Sequence, residues 1–451
     1  MAKGVLDLTN GKILSNLLRV AFPLMGTSFV QMSYTLLSMT WVGRLGSRHE
    51  AAIGAIGMLL WLSYTFAVLA MIGVEVSVGQ AIGAKRMGRA RNFASNASTL
   101  AIGIGVLWTL LLAVFAPQIL SFFKLEADIT AEAVNYLRIL AICLPFQFLS
   151  VNWGGVYNGA GRSIVPFKIN TLGLVLNMVL DPILMFYFGF GFYGAAIGTV
   201  VAQLFVFGLF VFNIRYKNDV LGYFSFIVAP KWVYLKRLLF LGAPVSAMNS
   251  LYAFINMSLA RAASTYGGHI GLMSQTTGGQ IEGITWNTSQ GFSTALSAFM
   301  AQNYAAGKPE RGRKAYIYAL RIMVSLGIFV SITFIFFGKQ IFGIIVPEEE
   351  AMIGGGRYLA IMGLVQIFMM FELTTQGMFN GVGRTIEPAV ISITFNILRI
   401  PMAYLFASPQ GLNLGIEGVW WAIAVSTVCK GTILPIWFMF VYRRIKIKLN
   451  K

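Results

Sequence analysis

"YNGAGRSIVP" at residues 157–166 returns as "FNGVGRTIEP" at residues 379–388. Asn158 and Asn380 stand 222 residues apart, and so do Pro166 and Pro388. Upstream, "GQAIGAKRMGRARN" (79–92) pairs with "AQNYAAGKPERGRK" (301–314), matching Gln80 with Gln302 and Arg89 with Arg311 at the same spacing. "AFP" (21–23) faces "GAP" (242–244) at a spacing of 221, and "LNMVLDP" (176–182) answers "FNILRIP" (395–401) at 219. Matches in one order at a near-constant spacing mark a duplicated chain. The halves run over about 1–220 and 221–451, joined by a polar, Pro-containing connector at 215–237.

Composition says what kind of element is duplicated. Of 451 residues, 57% are hydrophobic and only 11% are charged; the mean hydropathy is +0.73. A water-soluble protein of this length needs far more charge to cover its surface. Apolar stretches of roughly 20 residues, long enough to cross a bilayer, recur from end to end. Twelve begin near Leu14, Ala51, Ala94, Ala131, Ile164, Phe192, Leu235, Gly279, Ala315, Ala351, Pro388 and Gly415. They lack the short alternating segments of a barrel, so they read as helices. The expected fold is an all-α polytopic membrane protein. Its twelve transmembrane helices form two parallel-repeat lobes of six, the organisation of a transporter whose substrate passes between lobes. No cleavable leader is read at the N-terminus, which serves as the first helix and its lead-in.

The formal net charge is +18, yet no soluble domain exists to present it to nucleic acid. Lys and Arg fall in alternate loops and at both ends. They include Lys3 and Lys12, "GAKRMGRAR" (83–91), "GKPERGRK" (307–314), Arg384 and the tail "RRIKIKLNK". That bias places both termini in the cytoplasm, with the chain as a multi-pass protein of the plasma (inner) membrane. Cys143 and Cys429 both lie in apolar spans and make neither a disulfide framework nor a metal cluster. The two histidines, His49 and His269, are near loops. No His-Glu metal motif, Gly-x-Ser-x-Gly elbow or P-loop is present, which argues against an enzyme and against ATP-driven transport. The "GxGR" loops at 159–162 and 381–384 read as tight turns, not phosphate cradles.

An ionised group at mid-bilayer costs on the order of 2.5–3.5 kcal/mol, so each one needs a partner, a cavity or a proton. The first half carries Glu75 and Asp181 in its spans. The second carries Glu282, Glu372, Arg399 and Lys430. Asn177 and Asp181 are four apart and share a helix face. Pro182 cannot donate to the carbonyl of Met178, leaving a third oxygen near that face. A carboxylate, an amide oxygen and a spare carbonyl suit Na⁺ or H⁺, and Asp181 is the one candidate for a bound metal ion. In the second half, Glu372 with Arg399 and Glu282 with Lys430 are the expected pairings, a candidate coupling network in which removing one partner is costly.

"YTLLSMTWVGRLG" (34–46), "GQAIGAKRMGRA" (79–90), "NGAGRSIVPFKINTLGLVLNMVLDP" (158–182) and "YGAAIGTVVAQ" (193–203) resemble MATE (multidrug and toxic compound extrusion) transporters, of the wider MATE/flippase superfamily. The resemblance covers essentially the whole chain. It implies a secondary antiporter that exports organic, often cationic, compounds in exchange for H⁺ or Na⁺ by alternating access. It implies no cofactor beyond the coupling ion, small-molecule substrates, a lipid bilayer, and a monomer. Relatives that flip lipid-linked oligosaccharides supply the alternative: a flippase for a lipid-linked or amphipathic metabolite. Archaeal members build a first-lobe cation site that Asn177, Asp181 and Thr199 match. Where they carry an acid in the first span this chain has Ser38, the fourth candidate of the cation site, whose hydroxyl can donate or coordinate weakly but cannot titrate. Members of the NorM branch place linked acids in the seventh and tenth spans. Glu372 matches the tenth, while the seventh has none before Arg261, and Glu282 of the eighth substitutes.

Overall fold

The computed structural model describes residues 6–43, 47–121, 127–216, 221–346 and 348–449, with the side chains of 32–40, 42–43, 47–55, 58, 127–129 and 445–449 outside the description. The described residues form helices and no strand. In order these are α1 (Ile13–Gly43), α2 (Ser47–Gly83), α3 (Met87–Ser121), α4 (Ala127–Ala141), α5 (Leu144–Gly159), α6 (Ile164–Pro182), a π-helical turn (Ile183–Tyr187) and α7 (Gly191–Tyr216). They continue with α8 (Trp232–Ala305), α9 (Pro309–Ile345), α10 (Glu349–Val382), α11 (Ile386–Ala407) and α12 (Ile416–Leu449).

Three of these helices need regrouping to count spans. α4 and α5 meet at a 49° bend across a short break and together make one crossing. α8 has 74 residues, about 110 Å at 1.5 Å per residue, far more than one bilayer core. It is interrupted at Gly268, whose φ of 57° and ψ of −150° lie outside helical space, so its two arms are two spans. The described residues therefore supply twelve. The eighth begins after this turn and not near Gly279, because the polar run "GGHIGLMSQTTGGQ" lowers hydropathy there without breaking the helix.

Outward faces are apolar. Phe329, Ile332 and Phe336 of α9, at i, i+3 and i+7, are exposed, as are Leu107, Leu110 and Val114 of α3. In water such stripes would be a liability; in a bilayer they meet lipid. The chain is a multi-pass membrane protein.

Lipid tails are as apolar as leucine, so helices here associate through close packing of small residues. The repeat is visible in that packing. A Cβ on Gly155 or Gly159 of α5 would strike the carbonyls of Met71 or Glu75 on α2. A Cβ on Gly377 or Gly381 of α10 would strike the carbonyls of Ser293 or Ser297 on the second arm of α8. All four pairs of positions are related by 222 residues. The turns repeat as well. Left-handed residues occur at Lys85, Gly161, Gly189 and Gly191 in the first half, and at Gly307, Gly383, Asn413 and Gly415 in the second. The "GxGR" loops are Schellman ends: Gly161 N–H donates to Asn158 O at 2.9 Å and Arg162 N–H to Tyr157 O at 2.9 Å. Gly383 and Arg384 do the same to Asn380 and Phe379 at 2.8 and 3.0 Å. Adding bulk at the helix crossings costs about 1–3 kcal/mol or more, since backbone must move. Gly159→Val and Gly381→Val are each expected to lower the thermal midpoint of the purified protein by a similar amount, which differential scanning fluorimetry would read.

The chain divides into two compact units: Phe22–Ser246 with the residues up to Leu8, and Ala247–Lys451 with Thr9–Ala21. In the first unit, α2, α3, α5 and α7 enclose Phe148, Trp153, Tyr157 and Phe210, and the first arm of α8 lies on α2, where Ser246 Oγ donates to Thr65 O at 2.7 Å. In the second, α10 is central. It packs on α9 and α12 around Leu359, Met362 and Trp420, and α11 lies along α12. The start of the chain joins this unit through Lys308, whose Nζ donates to Thr9 O at 3.0 Å, and Arg311, which donates to the carbonyls of Asn10 and Gly11 at 2.7 Å.

Candidate functional site

In the first unit, Asn177 and Asp181 lie one turn apart on the buried face of α6, 4% and 1% exposed. Pro182 ends the regular helix, and the chain continues as the π-turn Ile183–Tyr187, a distortion that often marks functional positions. α7 lies against this face. Asn177 Nδ2 is 3.5 Å from Thr199 Oγ1, a long hydrogen bond. Gly198 makes the approach possible: a Cβ there would be 2.6 Å from Asp181 Oδ1 and 3.5 Å from Asn177 Oδ1. Asp181 Oδ1 is buried with no hydrogen-bond partner among the described residues. A buried carboxylate oxygen without a donor is costly, and a carboxylate beside an amide oxygen and a hydroxyl is a donor set for a hard monovalent cation or a proton. Ser38 lies outside the described side chains. Glu75 is 1% exposed, and its backbone carbonyl lies at the α2–α5 crossing.

Gly198 was missed by sequence reasoning, although its place one residue before Thr199 in "GAAIGT" was a signal. Gly198→Ala sets a methyl group against the carboxylate. Because the clash is with a side chain that can turn away, it is expected to remove any shift of the thermal midpoint with added Na⁺ or with pH while lowering that midpoint by only a few degrees. Ion-dependent shifts in that midpoint would measure it.

The second unit holds a denser polar cluster. Lys430 of α12 places Nζ 3.1 Å from Glu372 Oε1 of α10, with side chains 7% and 9% exposed. Ser392 of α11 donates to the same carboxylate at 3.1 Å. Arg399 of α11, 4% exposed, donates through Nε to Ser426 Oγ at 2.5 Å and through a terminal nitrogen to Thr427 Oγ1 at 3.2 Å. Both hydroxyls donate their own protons to Ile423 O, at 2.8 and 3.0 Å, so their lone pairs are free to accept. Glu282 of α8 accepts from Tyr358 Oη at 3.2 Å and Gln366 Nε2 at 3.5 Å. Tyr358 is itself fixed edge-on to Trp420.

The pairings expected from the sequence, Glu372 with Arg399 and Glu282 with Lys430, are thus not the ones formed. α10 packs against α12, which brings Lys430 to Glu372. α11 lies along α12 and touches α10 at few points, so Arg399 reaches hydroxyls of α12 instead. Ser392, Asn396 and Arg399 at i, i+4 and i+7, and Ser426 and Lys430 at i and i+4, form polar stripes in otherwise apolar helices. Those stripes were the available signal for the hydroxyls.

Comparison with known proteins follows this geometry. A family model described as MatE matches residues 23–183 and again 244–405, one copy in each half. The probable multidrug resistance protein NorM of Thermotoga maritima is 26% identical over 444 residues, covering 95% of this chain and 92% of its own. The probable multidrug resistance protein YoeA of Bacillus subtilis is 24% identical over 434 residues, covering 94% and 92%. A crystal structure of MATE in complex with MaD3S superposes with a TM-score of 0.92 over 98% of each chain at 22% identity, which shows a common fold.

Proposed function

The chain belongs to the MatE family, and from that premise we propose that it is a secondary antiporter, exporting organic, often cationic, compounds in exchange for H⁺ or Na⁺ by alternating access. The observation that carries this reading is the buried Asp181 carboxylate beside Asn177, Thr199 and Gly198, whose Oδ1 meets no donor among the described residues. A cation or proton binding there would neutralise an intramembrane charge, and a ligand that neutralises it in one conformation more than another shifts the balance between them. The relatives named as multidrug resistance proteins support bulky organic substrates. The basic loops at 83–91 and 307–314 and the basic tail support cytoplasmic termini and a plasma (inner) membrane location. The protein works as a monomer, and the ion is its only cofactor.

The test is export of a panel of fluorescent organic cations by the protein in proteoliposomes under an imposed H⁺ or Na⁺ gradient. Export is expected to follow the gradient and to fall to the leak rate when an ionophore collapses it. Export that persists without any gradient would contradict the proposal. One observation favours a second reading, a flippase for a lipid-linked or amphipathic metabolite. Buried Arg399 donates to two hydroxyls and meets no carboxylate within ion-pair distance among the described residues, an arrangement suited to a phosphate or carboxylate head. Gradient-independent translocation of a labelled anionic lipid in the same vesicles would favour it.

A further inference from the structure

Both lobes bury a carboxylate in the membrane, and they satisfy it differently. Asp181 Oδ1 has no donor among the described residues. Glu372 meets two donors, both at Oε1: the Lys430 ammonium at 3.1 Å and the Ser392 hydroxyl at 3.1 Å. The two other charged groups of the cluster are engaged elsewhere, Glu282 by Tyr358 and Gln366, and Arg399 by Ser426 and Thr427. The four charges sum to zero, and Lys430 is the ammonium in contact with Glu372.

The repeat shows that this pair is not needed by the shared fold. The left-handed turns Gly191 and Gly415 begin the matching helices α7 and α12, and that spacing places Val206 where the second half has Lys430. The spacing of Gly155 to Gly377 places Ser150 where it has Glu372. Acid and base are therefore present together in one half and absent together from the other.

We infer that the Lys430 ammonium is a built-in cation that permanently fills the Glu372 site in place of an external ion. A primary ammonium on a four-carbon stem can occupy the position of a monovalent cation against a carboxylate oxygen, as Lys430 Nζ does at 3.1 Å from Glu372 Oε1, and it cannot dissociate into water. The second lobe then needs no ion from solution, and Asp181 is the point at which one enters. This last step rests on the antiport reading; the filling of the Glu372 site does not.

Removing the stem makes the site available to a soluble cation. Lys430→Ala deletes a propylammonium from beyond Cβ, so n-propylammonium is the matched probe and Na⁺ the inorganic one. The experiment uses the purified full-length protein carrying Asp181→Asn, which silences the first lobe, and measures the thermal midpoint against each chloride salt. With Lys430 present, the midpoint is expected to be flat. With Lys430→Ala added, it should fall, then rise by roughly 3–5 °C with propylammonium at about a hundred times its Kd. Lys430→Arg keeps a tethered cation and should stay flat. A Lys430→Ala protein that responds to neither cation, or only as its parent does, overturns the inference. If Lys430→Ala is not recovered folded, preparation in propylammonium is expected to restore a monodisperse species, and failure to restore it also overturns the inference. An ionic response that persists in Asp181→Asn alone would count against the assignment of the coupling ion to Asp181, leaving the gain specific to Lys430→Ala as the separate test of the built-in cation.

Discussion

Glu372→Leu is expected to destabilise the protein by about 3–5 kcal/mol, and Glu372→Leu with Lys430→Met to recover most of that loss. The asymmetry follows from where the charges are. Leucine is close to glutamate in volume, so the single substitution leaves little cavity, and large-to-small packing losses do not account for the cost. What it leaves is a buried ammonium in a membrane interior without the carboxylate that faced it at 3.1 Å. Methionine in place of Lys430 removes that charge and refills the space with a flexible apolar chain. Thermal midpoints of wild type, both single variants and the double variant form the cycle. A large coupling with a nearly native double variant is the expected result; losses that simply add would mean that the two groups act independently.

The fold was legible in the sequence because the signals that set it are long. Apolar runs of bilayer length, and a spacing of 222 residues repeated from Gln80 to Pro166, survive local irregularity. The failures are local. Gly268 turns the chain inside a stretch whose hydropathy hardly changes, so the start of the eighth span is misplaced from composition alone. The first-lobe candidate was legible as a pairing of Asn177 with Asp181, because the two share one helix and so carry their spacing with them. The Gly198 contact was not, because it depends on how α7 crosses α6.

In the second lobe the sequence revealed which charges are buried and not which ones meet. Glu372, Lys430, Arg399 and Glu282 lie on four different helices or arms, and partner choice among them is decided by which helices pack. α10 against α12 selects Lys430 for Glu372, and α11 along α12 turns Arg399 to hydroxyls. Such choices come from tertiary packing of small residues and hydroxyls, which hydropathy does not rank.

Asp181→Asn is the second large effect and bears on the central claim. Asparagine keeps the shape of the side chain in the space that Gly198 provides, exchanges one acceptor oxygen for an amide donor, and removes the charge that a cation or proton would neutralise. The folded structure is therefore expected to persist with a thermal midpoint near that of wild type. Coupling between ion and substrate is typically 1–3 kcal/mol, or about 5- to 150-fold, and its loss should slow gradient-driven export by a factor in that range. The most direct measurement is the initial rate of organic-cation export from proteoliposomes under an imposed H⁺ or Na⁺ gradient, compared between wild type and Asp181→Asn. The account predicts that the variant exports about 5- to 150-fold more slowly than wild type under the gradient that drives wild type; export by the variant at the wild-type rate would contradict it.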